Sequence, residues 1–159
     1  MTSSNADVIT RFYEAFAKRD AATMGSLYDE SVTFSDAAFV DLKGKQVSAM
    51  WAMLLSREAT VWSLEFSDVH ADETTGSAKW TATYLFGPHK NKVVNHVTSQ
   101  FTFREGKIVA QKDSFDFWTW ASQALGPVGR LFGWSSLLHK SVQKNARGQL
   151  DAYMAKNNL

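Results

Sequence analysis

The chain of 159 residues contains no cysteine, has only two prolines, and shows no excess of charge of either sign. The absence of cysteine excludes disulfides, thiolate nucleophiles, cysteine-based zinc sites and iron–sulfur clusters. Seventeen basic and sixteen acidic residues give a formal net charge of +1. Binding to a nucleic-acid backbone usually needs a strong basic excess, so we expect no nucleic-acid partner.

Long hydrophobic runs and several familiar site motifs are also missing. No stretch of about 18 apolar residues occurs, and the first seven residues are polar, so we expect a soluble, cytoplasmic protein without a membrane partner. The four histidines show no HxH, HxxxH or HExxH spacing, and the glycines do not form a GxGxxG, GxxxxGK[ST] or GxSxG pattern. The sequence therefore predicts no metal and no cofactor.

What is present is a hydrophobic content of 45%, enough for one domain with a core of its own. Apolar residues recur at helical spacing in three segments and alternate with polar residues in five others. The predicted helices are DVITRFYEAFAK, AATMGSLY and QVSAMWAMLLSR. The predicted strands are SVTFSD, TVWSLEFSDVH, KWTATYLF, VVNHVTSQFTF and KIVAQKDSFDF. This order indicates an α+β fold in which helices cover one face of a curved sheet.

The C-terminal part has a different pattern. Residues 124–129 interrupt a helix that begins at Phe117, and the glycines here are typical of a loop. A further helix from Ser135 carries Leu138, Val142, Ala146, Leu150 and Tyr153 or Met154 on one side. We therefore expect an α+β domain in residues 1–120 and a helical extension in residues 121–159, packed on the same domain or on a partner subunit.

Two stretches carry a resemblance to a known family: DVITRFYEAFAKRDAATMGSLYDESVTF and FREGKIVAQKDSFDFW. In them the chain resembles the SnoaL-like and ketosteroid-isomerase-like branch of the nuclear-transport-factor-two-like superfamily. The resemblance implies a curved antiparallel sheet wrapped around three N-terminal helices to form a cone with a pocket. It also implies a small hydrophobic ligand and a homodimer formed through the sheet.

The last hairpin contains the first catalytic candidates. A tight turn at Glu105-Gly106 would pair Thr98 with Asp113 across the strands. The face shared by this pair then holds His96, Thr98, Gln100, Gln111, Asp113 and Phe115. The opposite face, with Phe101, Phe103, Ile108 and Ala110, is apolar enough to form the core instead, and one β-bulge would exchange the two.

The resemblance to SnoaL-like cyclases implies that Asp113 is an inward carboxylate. Together with His96 it would form a proton-shuttling pair able to remove a proton next to a carbonyl. The alternative interpretation is a cross-strand or buried pair that only fixes the strand register.

Asp36 is the second candidate base. It follows Val32 and Phe34 on one strand face, where desolvation would raise the pKa of its carboxyl, and by resemblance it matches the base of ketosteroid isomerases. The alternative is a strand end that starts a turn. The oxyanion-hole tyrosine of those isomerases aligns with Phe12, one residue from Tyr13, and their protonated aspartate aligns with Thr98 or Ser99. These departures argue against steroid isomerase activity itself.

Aromatic side chains would supply the pocket walls, although such residues more often form a core. The predicted ligand-binding residues are Tyr13, Trp51, Trp62, Trp80, Tyr84, Gln100, Phe115 and Trp118. Two hypotheses follow for function. One is an isomerase or cyclase in which Asp113 with His96, or Asp36, moves a proton while Thr98 or Tyr13 steadies the oxygen. The other is a non-catalytic binder of a small hydrophobic ligand, or an accessory subunit.

Overall fold

The computed structural model describes residues 4–159, which form six helices and one six-stranded sheet. The helices are α1 (Asn5–Ala17), α2 (Ala21–Ser26), α3 (Lys45–Ser56), α4 (Phe117–Ala124), α5 (Pro127–Phe132) and α6 (Ser136–Lys156). The strands are β1 (Tyr28–Ser35), β2 (Leu42–Lys43), β3 (Trp62–Ala71), β4 (Thr75–Phe86), β5 (Asn91–Arg104) and β6 (Lys107–Ser114). The predicted α+β fold class is confirmed.

The N-terminal helices pack their apolar sides against the sheet. Helix α1 begins with a capping box, in which the Ser4 hydroxyl accepts a hydrogen bond from the Asp7 amide and the Asp7 carboxylate accepts one from the Ser4 amide. Its turns bury Phe12 and Phe16, which contact Trp51 of α3 edge to face. The resulting aromatic core fixes one side of a cone whose other side is the curved sheet.

The strand order in the sheet is β2-β1-β6-β5-β4-β3. Four of the five neighbouring pairs are antiparallel, but β1 and β6 run parallel. The expectation of an antiparallel sheet is corrected for this pair. Strand β6 returns beside β1 after the helix and the meander between them, and it then points in the same direction as β1.

A β-bulge corrects the predicted register of the β5–β6 hairpin. Glu105 and Gly106 both have positive φ, as a two-residue hairpin turn requires. Phe103 pairs with Ile108 as predicted, but Thr102 pairs with Ala110, so Val109 has no partner on β5. Asp113 consequently lies opposite Ser99 rather than Thr98. The bulge turns the Asp113 side of β6 toward the helices.

The C-terminal helices pack on the same chain. In place of the predicted loop, α5 begins after Gly126, whose φ is +62°, with Pro127 in its first turn. A Cβ on Gly129 would lie 1.8 Å from the Ala121 carbonyl oxygen, so only glycine permits this crossing of α5 over α4. The predicted apolar stripe of α6 is confirmed, since Leu150 is fully buried in the main core. In the described part of the chain, no helix is both long and apolar enough to cross a bilayer.

Candidate functional site

A cavity of about 530 Å³ lies between the inner face of the sheet, helix α3 and helix α4. Its volume falls in the range of small-molecule sites. Five of the eight predicted ligand-binding residues line it, and all are aromatic: Trp51, Trp62, Trp80, Tyr84 and Phe115. Both candidate carboxyls, Asp36 and Asp113, line the same cavity. The cavity is therefore the site at which the predicted aromatic walls and acids meet.

The Asp113 carboxyl is held by two chains of hydrogen bonds. In the first, the Tyr13 hydroxyl and the Trp80 indole both donate to Ser99 Oγ, at 2.7 and 2.9 Å. Since Ser99 already accepts two hydrogen bonds, its own proton goes to Asp113 Oδ1, at 2.5 Å. This side of the carboxyl is fixed by residues from α1, β4 and β5.

The second series of hydrogen bonds reaches the same oxygen, Asp113 Oδ1, through Gln111. The Trp51 indole donates to the Tyr28 hydroxyl at 2.8 Å, and that hydroxyl donates to Gln111 Oε1 at 2.6 Å. The amide of Gln111 is thereby oriented so that its Nε2 donates to Asp113 Oδ1 at 3.1 Å. Asp113 Oδ2, in contrast, is buried without a hydrogen-bond partner. The two oxygens of this carboxyl thus have different hydrogen-bonding environments.

Burial raises the pKa of Asp113 to about 7. The hydrogen bonds from Ser99 and Gln111 favour the ionised form and partly oppose this increase, and the nearby charge of Asp36 adds to it. A carboxyl with this pKa exists as both acid and base near neutral pH. The free Oδ2 is then the atom at which a proton is gained or lost.

The sequence left two interpretations of Asp36 open, a desolvated base and a residue that starts a turn, and the structure shows features of both. Its Oδ1 accepts hydrogen bonds from the backbone amides of Ala38 and Phe39, at 2.7 and 2.6 Å, so it does start a turn at the end of β1. Burial nevertheless raises its pKa to about 6, with the two amide hydrogen bonds acting in the opposite direction. Asp36 is therefore a second, weaker base at the cavity wall.

Trp120 and Asn95 are two of the lining residues that the sequence analysis missed. Tyr84 accepts a hydrogen bond from the Trp120 indole at 2.9 Å, and burial raises the pKa of the Tyr84 hydroxyl, which keeps it protonated. Asn95 lines the cavity from β5. The position of Trp120 depends on the rotation of α4, and that of Asn95 depends on which face of β5 is buried. Neither can be read from the sequence alone.

The remaining predicted residues lie elsewhere. His96, Thr98 and Gln100 are on the exposed outer face of the sheet, where His96 Nδ1 hydrogen-bonds Thr81 at 2.9 Å. The predicted contact of His96 with Asp113 is therefore wrong, because the bulge at Val109 places them on opposite faces. Gln100 lines an open depression of about 970 Å³ on that outer face.

Trp118 and Tyr13 were also predicted to line the cavity, and neither does. Trp118 is 49% exposed, because α4 turns Trp120 rather than Trp118 toward the cavity. Tyr13 is fully buried in the aromatic core beneath Ser99, so it contacts the acid network and does not line the cavity wall.

Unpaired buried polar atoms coincide with the cavity. Across residues 4–159, two buried side-chain polar atoms lack a hydrogen-bond partner: Asp113 Oδ2 and Arg19 Nε. Both residues line the cavity. Buried polar atoms are normally paired, so these two residues carry hydrogen-bonding capacity that the described side chains do not use. The same part of the chain contains no cluster of three acidic or histidine side chains suited to a metal ion.

The comparisons with known proteins place this chain in a family. The model of the SnoaL-like domain matches residues 9–111. A comparison with curated proteins finds no match. Many solved structures share the fold.

Three of these structures illustrate the range of the fold. An epoxide hydrolase of M. tuberculosis, of the LEH-like type, has a TM-score of 0.64 and 17% identity over 80% of this chain and 93% of its own. A proposed polyketide cyclase of Silicibacter sp. has a TM-score of 0.65 and 19% identity over 76% and 94%. A Catenulispora acidiphila protein with a ketosteroid isomerase-like fold, in complex with trimethylamine, has a TM-score of 0.65 and 13% identity over 76% and 94%. At these identities the likeness shows the fold alone.

Proposed function

This chain belongs to the SnoaL-like domain family, and we propose that it is a cofactor-independent acid–base enzyme of the isomerase or cyclase type. Its substrate is a small, largely apolar carbonyl compound. The observation that carries the proposal is Asp113, a residue of the aromatic cavity lining whose buried carboxyl has a pKa of about 7, one hydrogen-bonded oxygen and one oxygen without a partner. The solved structures of similar fold include proteins described with small ligands, which supports a small-molecule partner.

The proposed reaction begins with proton transfer from carbon to Asp113. Ionised Asp113 takes a proton from the carbon next to the carbonyl, and the electron pair of the broken C–H bond moves to form an enolate. In an isomerase, protonated Asp113 returns this proton to another carbon of the same conjugated system. In a cyclase, the enolate carbon attacks a second carbonyl of the substrate, and Asp113 gives the proton to the new alkoxide. Both routes regenerate the carboxylate.

Tyr84 is the proposed hydrogen-bond donor to the enolate oxygen. Its hydroxyl oxygen already accepts from the Trp120 indole, so its own proton remains for a ligand in the cavity. This role replaces the one that Thr98 and Tyr13 were expected to have. Thr98 lies on the outer face of the sheet, and the Tyr13 hydroxyl donates to Ser99. An aligned donor at this position would stabilise the negative charge that develops in the transition state.

A non-catalytic binder is the second candidate, and one specific observation favours it. The position aligned with the oxyanion tyrosine of ketosteroid isomerases is Phe12, and the neighbouring Tyr13 is committed to the core. In that case the same cavity would hold a small hydrophobic molecule without changing it. The two candidates differ in one measurable property, which is whether a bound ketone exchanges its protons.

The deciding experiment follows that exchange. A thermal-shift screen with steroid ketones and aromatic β-diketones first selects a ligand, since a ligand at 100 times its dissociation constant adds about 2.7 kcal/mol of stability. The protein and ligand are then incubated in D₂O, and mass spectrometry measures deuterium in the ligand. We expect exchange above the buffer rate, a decrease of roughly 10²- to 10⁴-fold in Asp113→Asn, and binding that persists in this variant.

Matched variants separate the roles of the other residues. Asp41→Asn changes an exposed aspartate outside the cavity lining and should exchange protons at the wild-type rate. Tyr84→Phe should lower the rate by about 10²-fold while leaving the pKa of Asp113 in place. Tight binding with no exchange in the wild-type protein would reject catalysis and leave the binder.

The expectation of a cytoplasmic homodimer that associates through the sheet remains part of this proposal. The outer face of the sheet is exposed and offers a broad open depression to a second subunit. Light scattering on the purified chain measures the mass directly, and a monomer over the micromolar range would reject this part.

A further inference from the structure

The helices α4 to α6 expose an unusual number of large apolar side chains. In the described part of the chain, nine large hydrophobic residues are exposed, and six of them fall in a single short segment. These six form the apolar patch: Trp118, Val128, Leu131, Phe132, Trp134 and Leu137. Leu137 is 79% exposed, Trp134 66% and Leu131 64%. Exposed apolar side chains concentrated in this way mark an interaction surface.

The patch is held in place by helix packing and by hydrogen bonds. Helix α5 crosses α4 so closely that a Cβ on Gly133 would lie 2.7 Å from the Trp118 ring. The indole of Trp118 donates to the Arg130 carbonyl at 3.1 Å, and that of Trp134 donates to the Leu131 carbonyl at 2.8 Å. Both indole N–H groups are thereby satisfied within the chain, so their rings can enter an apolar medium without an unpaired donor.

The charged side chains of the segment that carries the patch are all basic. Residues 117–150 contain no aspartate or glutamate, although they contain four basic residues. Arg130, Lys140 and Lys144 are exposed, and none of them takes part in the ion pairs formed by residues 4–159. Leu137, Lys140 and Lys144 follow one another at helical spacing on α6, so the cations continue the apolar patch along one face.

We propose that this patch docks the protein on the surface of an anionic lipid bilayer. The apolar side chains would enter the boundary between headgroups and acyl chains, with the two tryptophans at the interface, and the three cations would face lipid phosphates. The sequence predicted that the helical extension packs on the same domain or on a partner subunit, and it predicted no membrane partner. Docking on lipid instead accounts for the exposure, the satisfied indoles and the charge together.

A second copy of the chain fits these observations less well. In a twofold dimer the same patch is present on both sides of the contact. Arg130, Lys140 and Lys144 of both copies would then lie at one contact, and neither copy has a carboxylate between Asp116 and Asp151 to compensate them.

The test is co-sedimentation of the full chain with vesicles. We expect binding to vesicles of phosphatidylcholine with phosphatidylglycerol, little binding to phosphatidylcholine alone, and release as salt is raised. The variant Leu131→Ser with Leu137→Ser should weaken binding roughly tenfold or more. The matched control, Val40→Ser with Leu159→Ser, changes two exposed apolar residues outside the patch and should bind like the wild type.

Charge is tested in the same way. Neutralising Arg130, Lys140 and Lys144 to glutamine should weaken binding by roughly ten- to a hundredfold, whereas Lys18, Lys43 and Lys45 changed to glutamine should have a much smaller effect. Light scattering completes the test, and we expect the Leu131/Leu137 variant to keep the wild-type mass. Absence of binding to anionic vesicles, equal losses in test and control variants, or a dimer that this variant dissociates would each overturn the proposal.

Discussion

The two faces of the β5–β6 hairpin contain similar residue types in opposite environments. On the inner face, Ser99, Gln111 and Asp113 are buried and hydrogen-bonded to one another. On the outer face, His96 and Thr98 are exposed, and His96 forms a hydrogen bond with the neighbouring Thr81. A histidine is the more usual proton carrier near neutral pH, yet here burial gives that property to the aspartate.

The environment of a side chain, rather than its residue type, therefore decides whether its pKa lies near neutral pH. The bulge at Val109 sets the register that buries Asp113, since the same sequence paired without a bulge would place Asp113 opposite Thr98 on the outer face. Deletions and substitutions at defined positions of β5 and β6 therefore test what makes the two faces different.

The largest effect is expected from deletion of a residue beyond the bulge. Deleting Lys112 moves Asp113 to the outer face and Ser114 to the inner face, so the buried network cannot form. We expect a loss of about 5 kcal/mol or more, which is comparable to the whole stability of a small domain. Deleting Val109 is the matched control, because it removes the unpaired residue and leaves Asp113 opposite Ser99.

Chemical denaturation with circular dichroism measures both deletions. For Val109 the expected loss is about 1–2 kcal/mol. Equal losses for the two deletions would show that the inward position of Asp113 does not depend on the register.

The next largest effect is on the pH dependence of stability. The pKa of Asp113 is about 7 in the folded chain and 3.8 when unperturbed, so the folded state binds the extra proton between these values. The contribution of this group to the free energy of unfolding should therefore be largest below pH 4 and fall as pH rises to about 7, by at most roughly 4 kcal/mol. Asp113→Asn should remove most of this slope.

Asp36→Asn is the comparison variant, and it should remove a smaller part of the slope, because its folded pKa is about 6. Urea unfolding at a series of pH values gives both slopes. A slope unchanged in Asp113→Asn would mean that this carboxyl is ionised in the folded protein throughout the range.

A smaller effect is expected from Ser99→Ala. The change removes a hydrogen bond that favours the ionised carboxylate, so the pKa of Asp113 should rise by roughly one unit or more. It also leaves the donors of Tyr13 and Trp80 without an acceptor, at a cost of about 2 kcal/mol. Carboxyl carbon titration by NMR measures the pKa, and a decrease would contradict the assigned direction of the Ser99 hydrogen bond.

The smallest effect is expected on the outer face. His96→Ala and Thr98→Ala change exposed residues that do not contact Asp113, so each should alter stability by no more than about 0.5 kcal/mol. Neither should change proton exchange in a bound ketone. A large decrease in exchange for His96→Ala would bring the histidine back into the site and contradict the register described above.

Much of the fold could be predicted from the sequence because its signals are periodic. The apolar spacing of α1, α3 and α6 and the alternation in β3 to β6 each repeat over several turns or residue pairs. Helix α5 was missed, since its glycines are typical of a loop, and only packing on Ala121 shows why they are needed. The parallel β1–β6 pair was missed because it joins strands far apart in the chain.

The candidate site was less predictable, for two physical reasons. A single bulge reverses every inward and outward assignment beyond it, and that bulge separated Asp113 from His96, Thr98 and Gln100. The rotation of a short helix about its axis is equally hard to predict. The sequence analysis placed Trp118 in the cavity, but the structure places Trp120 there. The resemblance to SnoaL-like cyclases identified the inward aspartate correctly in position, where alternation alone left two choices.

The burial of Leu150 has a consequence for any attempt to transplant the cavity into another scaffold. This leucine from the last helix fills space in the core next to α3, and a graft limited to the family-matched residues 9–111 would leave that space empty. A leucine-sized void costs about 2–5 kcal/mol. Such a graft would also end two residues before Asp113, so a working transplant must carry the sheet and the terminal helices as one piece.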